Sequence, residues 1–150
     1  MIELTEEEKN FYKYNIRNFI WDTDFNFICS SWLKSYERSY FAEHIINGVF
    51  HIEHRNLIES KLMNPAFCTV AVNAHDSDQI YGYAVAENDC LHYVYVKKMF
   101  RGLGIGMGLV DSMDMPEKFY YSHFSTKMDR VVERKNGVYN PYLFLRQYED

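Results

Sequence analysis

The residues with the clearest chemical potential lie in the run Leu91-His-Tyr-Val-Tyr-Val-Lys-Lys-Met-Phe-Arg-Gly-Leu-Gly-Ile-Gly106. An apolar, strand-like stretch enters a turn in which Gly102, Gly104 and Gly106 alternate with Leu103 and Ile105, and a helix-like stretch follows. Glycine reaches positive φ and lets a ligand approach the backbone closely, and the first amides of a helix have no internal acceptor. Such a segment is suited to hold an anion, a phosphate above all. Arg101, with Lys97 and Lys98 nearby, adds local positive charge to a chain of formal net charge −5.

Spacing excludes the better-known phosphate motifs. A dinucleotide fingerprint starting at Gly102 needs glycine where Met107 stands, and one starting at Gly104 needs it where Leu109 stands. No Gly-Lys-Ser/Thr follows at the distance a nucleotide P-loop requires.

Groups able to move protons lie close by in sequence. His92 sits four residues before Val96 on the same strand-like run, its side chain alternating with those of Leu91 and Tyr93, and an imidazole with an ordinary pKa of about 6.5 is suited to that work. Glu87 and Asp89, at the turn before this strand, are alternative bases or else solvated turn residues. His51 and His54 stand at i, i+3 with Glu53 and Glu59 nearby, but no second ligand pair has recognisable spacing, so no metal is expected.

Elements to position these groups can be read along the chain. Thr5-Glu-Glu-Glu8 has the spacing of a capping box, and Tyr14–Ile20 alternates as a first strand. Asp22 or Asp24 should cap a helix reaching about Arg38, with Phe25, Ile28, Trp32 and Leu33 on its apolar face. A second helix, about Phe41 to Met63, should bury Ile45, Val49, Ile52 and Leu57 before Asn64-Pro65 stops it. Strands over Ala66–Val72, Gln79–Glu87 and Cys90–Val96 should form a meander, because their connections are short. A helix over Gly104–Met113, a strand near Lys118–Phe124, a helix from Ser125 or Thr126 to about Arg134 and an aromatic strand around Val138–Leu145 complete the expected order.

The 150 residues, without repeat or linker, point to one domain spanning 1–150. The acidic balance argues against a general nucleic-acid binder. Cys29, Cys68 and Cys90 form no C-x-x-C pair and cannot all be bridged, which points to reduced core thiols and a cytoplasmic setting. There is no signal-like start and no apolar run long enough for a membrane span.

Val96, Phe100, Arg101, Gly102, Gly104 and Gly106 together resemble the cofactor motif of the GNAT superfamily of N-acetyltransferases, whose core is Gln/Arg-x-x-Gly-x-Gly/Ala; Lys98 replaces a common proline. The resemblance is specific over about twenty residues. It implies an α+β fold with a mixed, mostly antiparallel twisted sheet flanked by helices. It also implies transfer of an acetyl group from acetyl-coenzyme A, as co-substrate, directly to a primary amine. Val94, Tyr95 and Val96 would pair with the pantetheine arm, and Arg101, Gly102, Leu103, Gly104, Ile105 and Gly106 would bind the diphosphate. His92 stands where arylalkylamine acetyltransferases carry a strand histidine that relays protons through water, and a late tyrosine, Tyr139 foremost, would protonate the departing thiolate. Tyr142, Tyr120 and Tyr121 are alternatives for that acid. The size, the block Ser30–Tyr36 and the short C-terminal region also look like small phage-encoded relatives, with an acceptor side that is open or completed by a second subunit. Rival readings within the same fold are a phage Mom-type DNA base-modifying protein and a non-catalytic binding module. The acceptor would be a primary amine of a small molecule or a protein.

Overall fold

A computed structural model describes residues 3, 5–37, 47–64, 68–87, 89–122 and 137–145. In chain order these form α1 (Glu6–Tyr12), β1 (Tyr14–Asn18), α2 (Trp21–Glu37), α3 (Asn47–Leu62), β2 (Cys68–Asn73), β3 (Asp76–Glu87), β4 (Cys90–Val96), α4 (Ile105–Ser112), β5 (Tyr120–Tyr121) and β6 (Val138–Tyr139). The six strands lie in sequence order in one sheet, antiparallel from β1 to β4 and parallel across β4, β5 and β6. The sheet is therefore mixed and mostly antiparallel, as the resemblance implies. The helix expected from Ser125 or Thr126 lies outside the described residues, as does Ile45.

Both sheet faces are covered, and alternation along the strands divides two sets of side chains between them. Cys68, Val70, Val72, Tyr83, Val85 and Tyr93 pack beneath α2 and α3 with Phe25, Ile28, Trp32, Phe50, Ile58 and Leu62. On the opposite face Ala71, Tyr81 and Ala84 pack with Ile105 and Leu109 of α4. Small residues dominate this second face, so α4 lies close: a Cβ on Gly106 would meet Val94 and Val96, and one on Gly108 would meet the Tyr14 hydroxyl at 3.1 Å.

Local chemistry fixes the helix starts. The Glu8 amide donates to Thr5 Oγ1 at 3.1 Å, half of the expected capping box. At α2 the Asp24 carboxylate accepts from the Ile20 amide at 2.8 Å and takes a forked pair from Arg17 at 2.6 and 2.8 Å. Burial opposes ionisation of Asp24, but the Arg17 and Ile20 hydrogen bonds outweigh it and hold the carboxyl below its ordinary range.

Three expectations need correction. In α3 the buried stripe is Phe50, His54, Ile58, Lys61 and Leu62, whereas Val49 and Ile52 are exposed. The helix has little amphipathic bias, and the sheet takes the face that carries its one phenylalanine. Strand pairing near residue 120 is only two residues long. The aromatic strand expected around Val138–Leu145 ends at Tyr139, and Pro141–Leu145 forms a 3-10 turn. Pro141 has no amide for a ladder, and the Asn140 side chain accepts from the Tyr142 amide at 3.2 Å, closing an Asx turn that drives Phe144 into the core.

Candidate functional site

The chain leaves β4 through a 3-10 turn, Lys98–Phe100, whose Phe100 ring stacks on Tyr81 with centroids 3.7 Å apart. Gly102 and Gly104 then adopt φ of 85° and 81°, which explains their residue type, and Gly104 caps α4. Among the described residues, none of the amides from Gly102 to Met107 donates a hydrogen bond; the first helical bond runs from the Gly108 amide to the Gly104 carbonyl at 3.0 Å. These amides open at the N-terminus of α4, where the helix dipole favours negative charge. Arg101 folds back so that its Nε donates to the Val96 carbonyl at 2.9 Å, tying the loop to the end of β4. Lys97 behaves differently from expectation. Its ammonium lies 4.9 Å over the Phe27 ring, on the α2 side of the sheet, so Arg101 and Lys98 are the cations left beside the loop.

Strand β4 pairs with β5 at its start. The described parallel pairing joins Cys90 with Tyr120 and Leu91 with Tyr121, and the Ser122 amide donates to the Leu91 carbonyl at 3.0 Å. Among the described residues no strand pairs with the β5-facing edge over Val94, Tyr95 and Val96. The Val96 carbonyl is already engaged by Arg101. On the other edge β3 presses close: a Cβ on Gly82 would stand 2.4 Å from the Tyr95 carbonyl oxygen. Sequence reasoning missed Gly82, whose only local signal is a glycine inside a strand pattern.

His92 departs from the simple alternation expected of it. Pairing shifts from Val85 opposite Tyr93 to Ala86 opposite Leu91, so His92 is the extra residue of a β-bulge. The bulge turns its ring toward the α2 and α3 face, 5.8 Å from the Phe144 ring, while Tyr93 stacks on Trp32 on that same face. Fully buried, His92 carries its Nδ1 2.6 Å from Ser122 Oγ, with Cys90 Sγ at 3.8 Å.

Glu87, too, is not a solvated turn residue. It ends β3 with no exposure, its Oε2 3.5 Å from His92 Nε2 and its Oε1 3.3 Å from Nζ of an equally buried Lys61. The same alternation that buries Val85 turns Glu87 inward beneath α3. Lys61 and Ser122 were not singled out from sequence. A lysine on the stripe of Phe50, His54 and Ile58 was the available sign. Phe144 roofs the cluster, with Lys61 Nζ 5.7 Å and the His54 ring 5.1 Å from its centroid.

Tyr139 lies elsewhere. It is half exposed on β6, its ring 5.4 Å from Tyr121, two strands from β4 in the row of Leu91 and Tyr121. Phenols that the structure does bury hold α2 to the sheet: Tyr83 meets Ser31 at 2.7 Å, and Tyr93, pushed up to about 12 by burial, meets Ser35. An open cleft of about 440 Å³ between Thr23, Phe27, Asp76, Asp78 and Lys97 adjoins the far end of β4. At ~3.3 Å per residue its Lys97 wall is ~16 Å along the strand from His92, so the cleft is remote from the proton-handling groups. Among the described residues no group of three or more His, Cys, Asp or Glu side chains converges as a metal site, and no helix is long and apolar enough to cross a membrane.

Comparison with solved structures places this architecture. A candidate acetyl transferase from Pyrococcus furiosus superposes over 92% of this chain and 94% of its own at a TM-score of 0.52 and 19% identity. The apo form of YjaB from Escherichia coli matches 67% of this chain and 64% of its own, with TM-score 0.47 and 22% identity. A GCN5-related N-acetyltransferase from Sphaerobacter thermophilus matches 67% of this chain but only 30% of its own, with TM-score 0.48 and 17% identity. No protein-family model and no curated protein matches the sequence. The chain has the GNAT fold.

Proposed function

We propose that this chain is an acetyl-coenzyme A-dependent N-acetyltransferase acting on a primary amine. The observation that carries the reading is a separation. Among the described residues, the unengaged amides of Gly102 to Met107 begin just past Val96, and His92 lies four residues back along β4, ~13 Å at strand rise, with the β5-facing edge at Val94 and Tyr95 between them facing no described strand. An anionic head, an extended arm that can pair with a strand and a reactive thioester at its far end match those three features in order. Acetyl-coenzyme A supplies the activated acetyl group.

In this reading Arg101, Gly102, Leu103, Gly104, Ile105 and Gly106 hold the diphosphate, and the β4 edge at Val94, Tyr95 and Val96 aligns the arm. His92 accepts the proton that the attacking amine must lose, with Glu87 opposite its other ring nitrogen to stabilise the imidazolium. Tyr139 is assigned the proton donor to the leaving thiolate on the resemblance alone. Holding amine and thioester in line contributes much of the rate. Calorimetric titration with coenzyme A, followed by thiol release from acetyl-coenzyme A over a panel of primary amines, tests the proposal. Binding and amine-dependent release are expected. No heat with coenzyme A would end it, and a rise in melting temperature with DNA alone would favour the base-modifying alternative.

A further inference from the structure

Helix α1 lies outside the sheet, ahead of β1, and the proposed reaction makes no use of it. Its last turn nevertheless closes over the start of the glycine loop. The buried Phe100 ring, stacked on Tyr81, also meets the Phe11 ring at 5.3 Å and the Tyr12 ring at 6.1 Å. Tyr81 in turn holds α1 in place: its hydroxyl donates to the Phe11 carbonyl and accepts from Asn73 Nδ2 at 2.7 Å. Just past α1 the Lys13 carbonyl accepts from the Ala74 amide at 3.0 Å. The helix end is thus tied at two points to the hairpin of β2 and β3.

The loop itself lies open. Arg101, Gly102, Leu103 and Gly104 are all exposed, and a Cβ added at Gly102 or Gly104 would meet nothing within 4 Å. Its buried ends are Phe100 and Ile105, which belong to one apolar cluster with Tyr81 and Leu109 and with Phe11 and Tyr12 at its margin. Ile105 is carried by α4, whereas Phe100 ends a 3-10 turn of three residues and relies on the rings around it.

We propose that Phe11 and Tyr81 are positioning residues for the glycine loop: α1, latched by the Tyr81 hydroxyl, presses on Phe100 and so sets where the amides of Gly102 to Met107 stand. Donors that bind an anion must be held within about half an ångström of the productive geometry. The positive φ of Gly102 and Gly104 shapes the loop, but the same freedom of glycine leaves nothing within it to hold that shape. Order has to come from the anchors. The consequence for the cofactor rests on the acetyltransferase reading, in which the diphosphate meets the loop and the thioester, at the far end of the arm, does not.

Two variants of the full chain separate the ring contact from the latch. Phe11→Ala removes the ring that meets Phe100, and Tyr81→Phe keeps the stack on Phe100 but deletes the hydroxyl that binds the Phe11 carbonyl. Without any ligand, nitrogen-15 relaxation should give lower order parameters at the loop amides in both variants, with α2 and β2 unchanged. With acetyl-coenzyme A, Phe11→Ala should raise KM ~10-fold and leave kcat within ~2-fold, and Tyr81→Phe should raise KM ~3-fold or more. With S-acetylpantetheine, which lacks the diphosphate, neither constant should change. Phe11→Tyr, which keeps the ring, should match the unaltered chain with both donors.

An equal loss with both donors would overturn the proposal, since it marks a general loosening of the fold. So would loop amides as ordered in both variants as in the unaltered chain. Should Phe11→Ala not fold, Tyr81→Phe decides by the same measures. Absence of coenzyme A binding by the unaltered chain would instead sink the acetyltransferase reading, and the ligand-free order parameters would still decide the positioning role.

Discussion

The ammonium of Lys61 and the carboxylate of Glu87 lie 3.3 Å apart with neither side chain exposed to solvent. The pair joins the last turn of α3 to the end of β3, and each charge is tolerable there because of the other. Removing one partner of a buried pair commonly costs about 3–5 kcal/mol, since the survivor keeps its desolvation penalty. Lys61→Met should therefore destabilise the fold by that order in urea unfolding. Lys61→Met combined with Glu87→Gln should recover much of the loss; a double variant as unstable as the sum would disprove the coupling.

Arg101→Glu should weaken coenzyme A binding by about 100-fold or more, because it replaces a charge-assisted donor with a repelling carboxylate. It also frees the Val96 carbonyl that Arg101 now holds. Calorimetry gives the affinity, and circular dichroism should show the fold intact.

His92→Ala should lower turnover by about 10²–10⁴-fold while leaving coenzyme A affinity nearly unchanged, since the ring is ~13 Å along β4 from the loop. Unchanged turnover would remove His92 from the chemistry.

Gly82→Ala should cost about 1–3 kcal/mol, because the new methyl would sit 2.4 Å from a backbone oxygen that belongs to a paired strand. Gly48→Ala is the control. Nothing lies within 4 Å of its added carbon, so it should be neutral or slightly stabilising when both variants are compared by urea unfolding.

The acid dependence of stability should report Asp24. Its folded pKa is depressed, so its contribution is complete above the unfolded carboxyl pKa and disappears as pH falls through the lower folded value. Asp24→Asn should therefore be less stable than the unaltered chain at neutral pH, with the gap closing as pH falls below about 4. A gap that stays constant down to pH 2 would show that Asp24 carries no such linkage.

The glycine turn before α4 was legible in the linear order because its parts are local: Arg101, Gly102, Gly104 and Gly106 lie within six residues, and backbone conformation there follows from residue type. Helix α2 was legible for a similar reason, its carboxylate cap and 3.6-residue apolar period both being short-range. The buried face of α3 was not, since Val49 and Ile52 look as apolar as Phe50 and only docking on the sheet selects one stripe. The segment Val138–Leu145 misled because its aromatic and aliphatic residues suit a strand, whereas Pro141 ends the ladder and Phe144 turns into the core.

The sequence by itself determined a glycine-punctuated turn leading from a strand into a helix and a histidine on that strand four residues before its end. Only the tertiary structure decided what surrounds that histidine. Lys61, Glu87 and Ser122 come from a helix, a strand and the residue after β5, and they surround His92 because a bulge in β4 turns its ring beneath α3. Such a cluster has no local sequence signal, since the stabilisation of its buried charges comes from partners brought together by the fold.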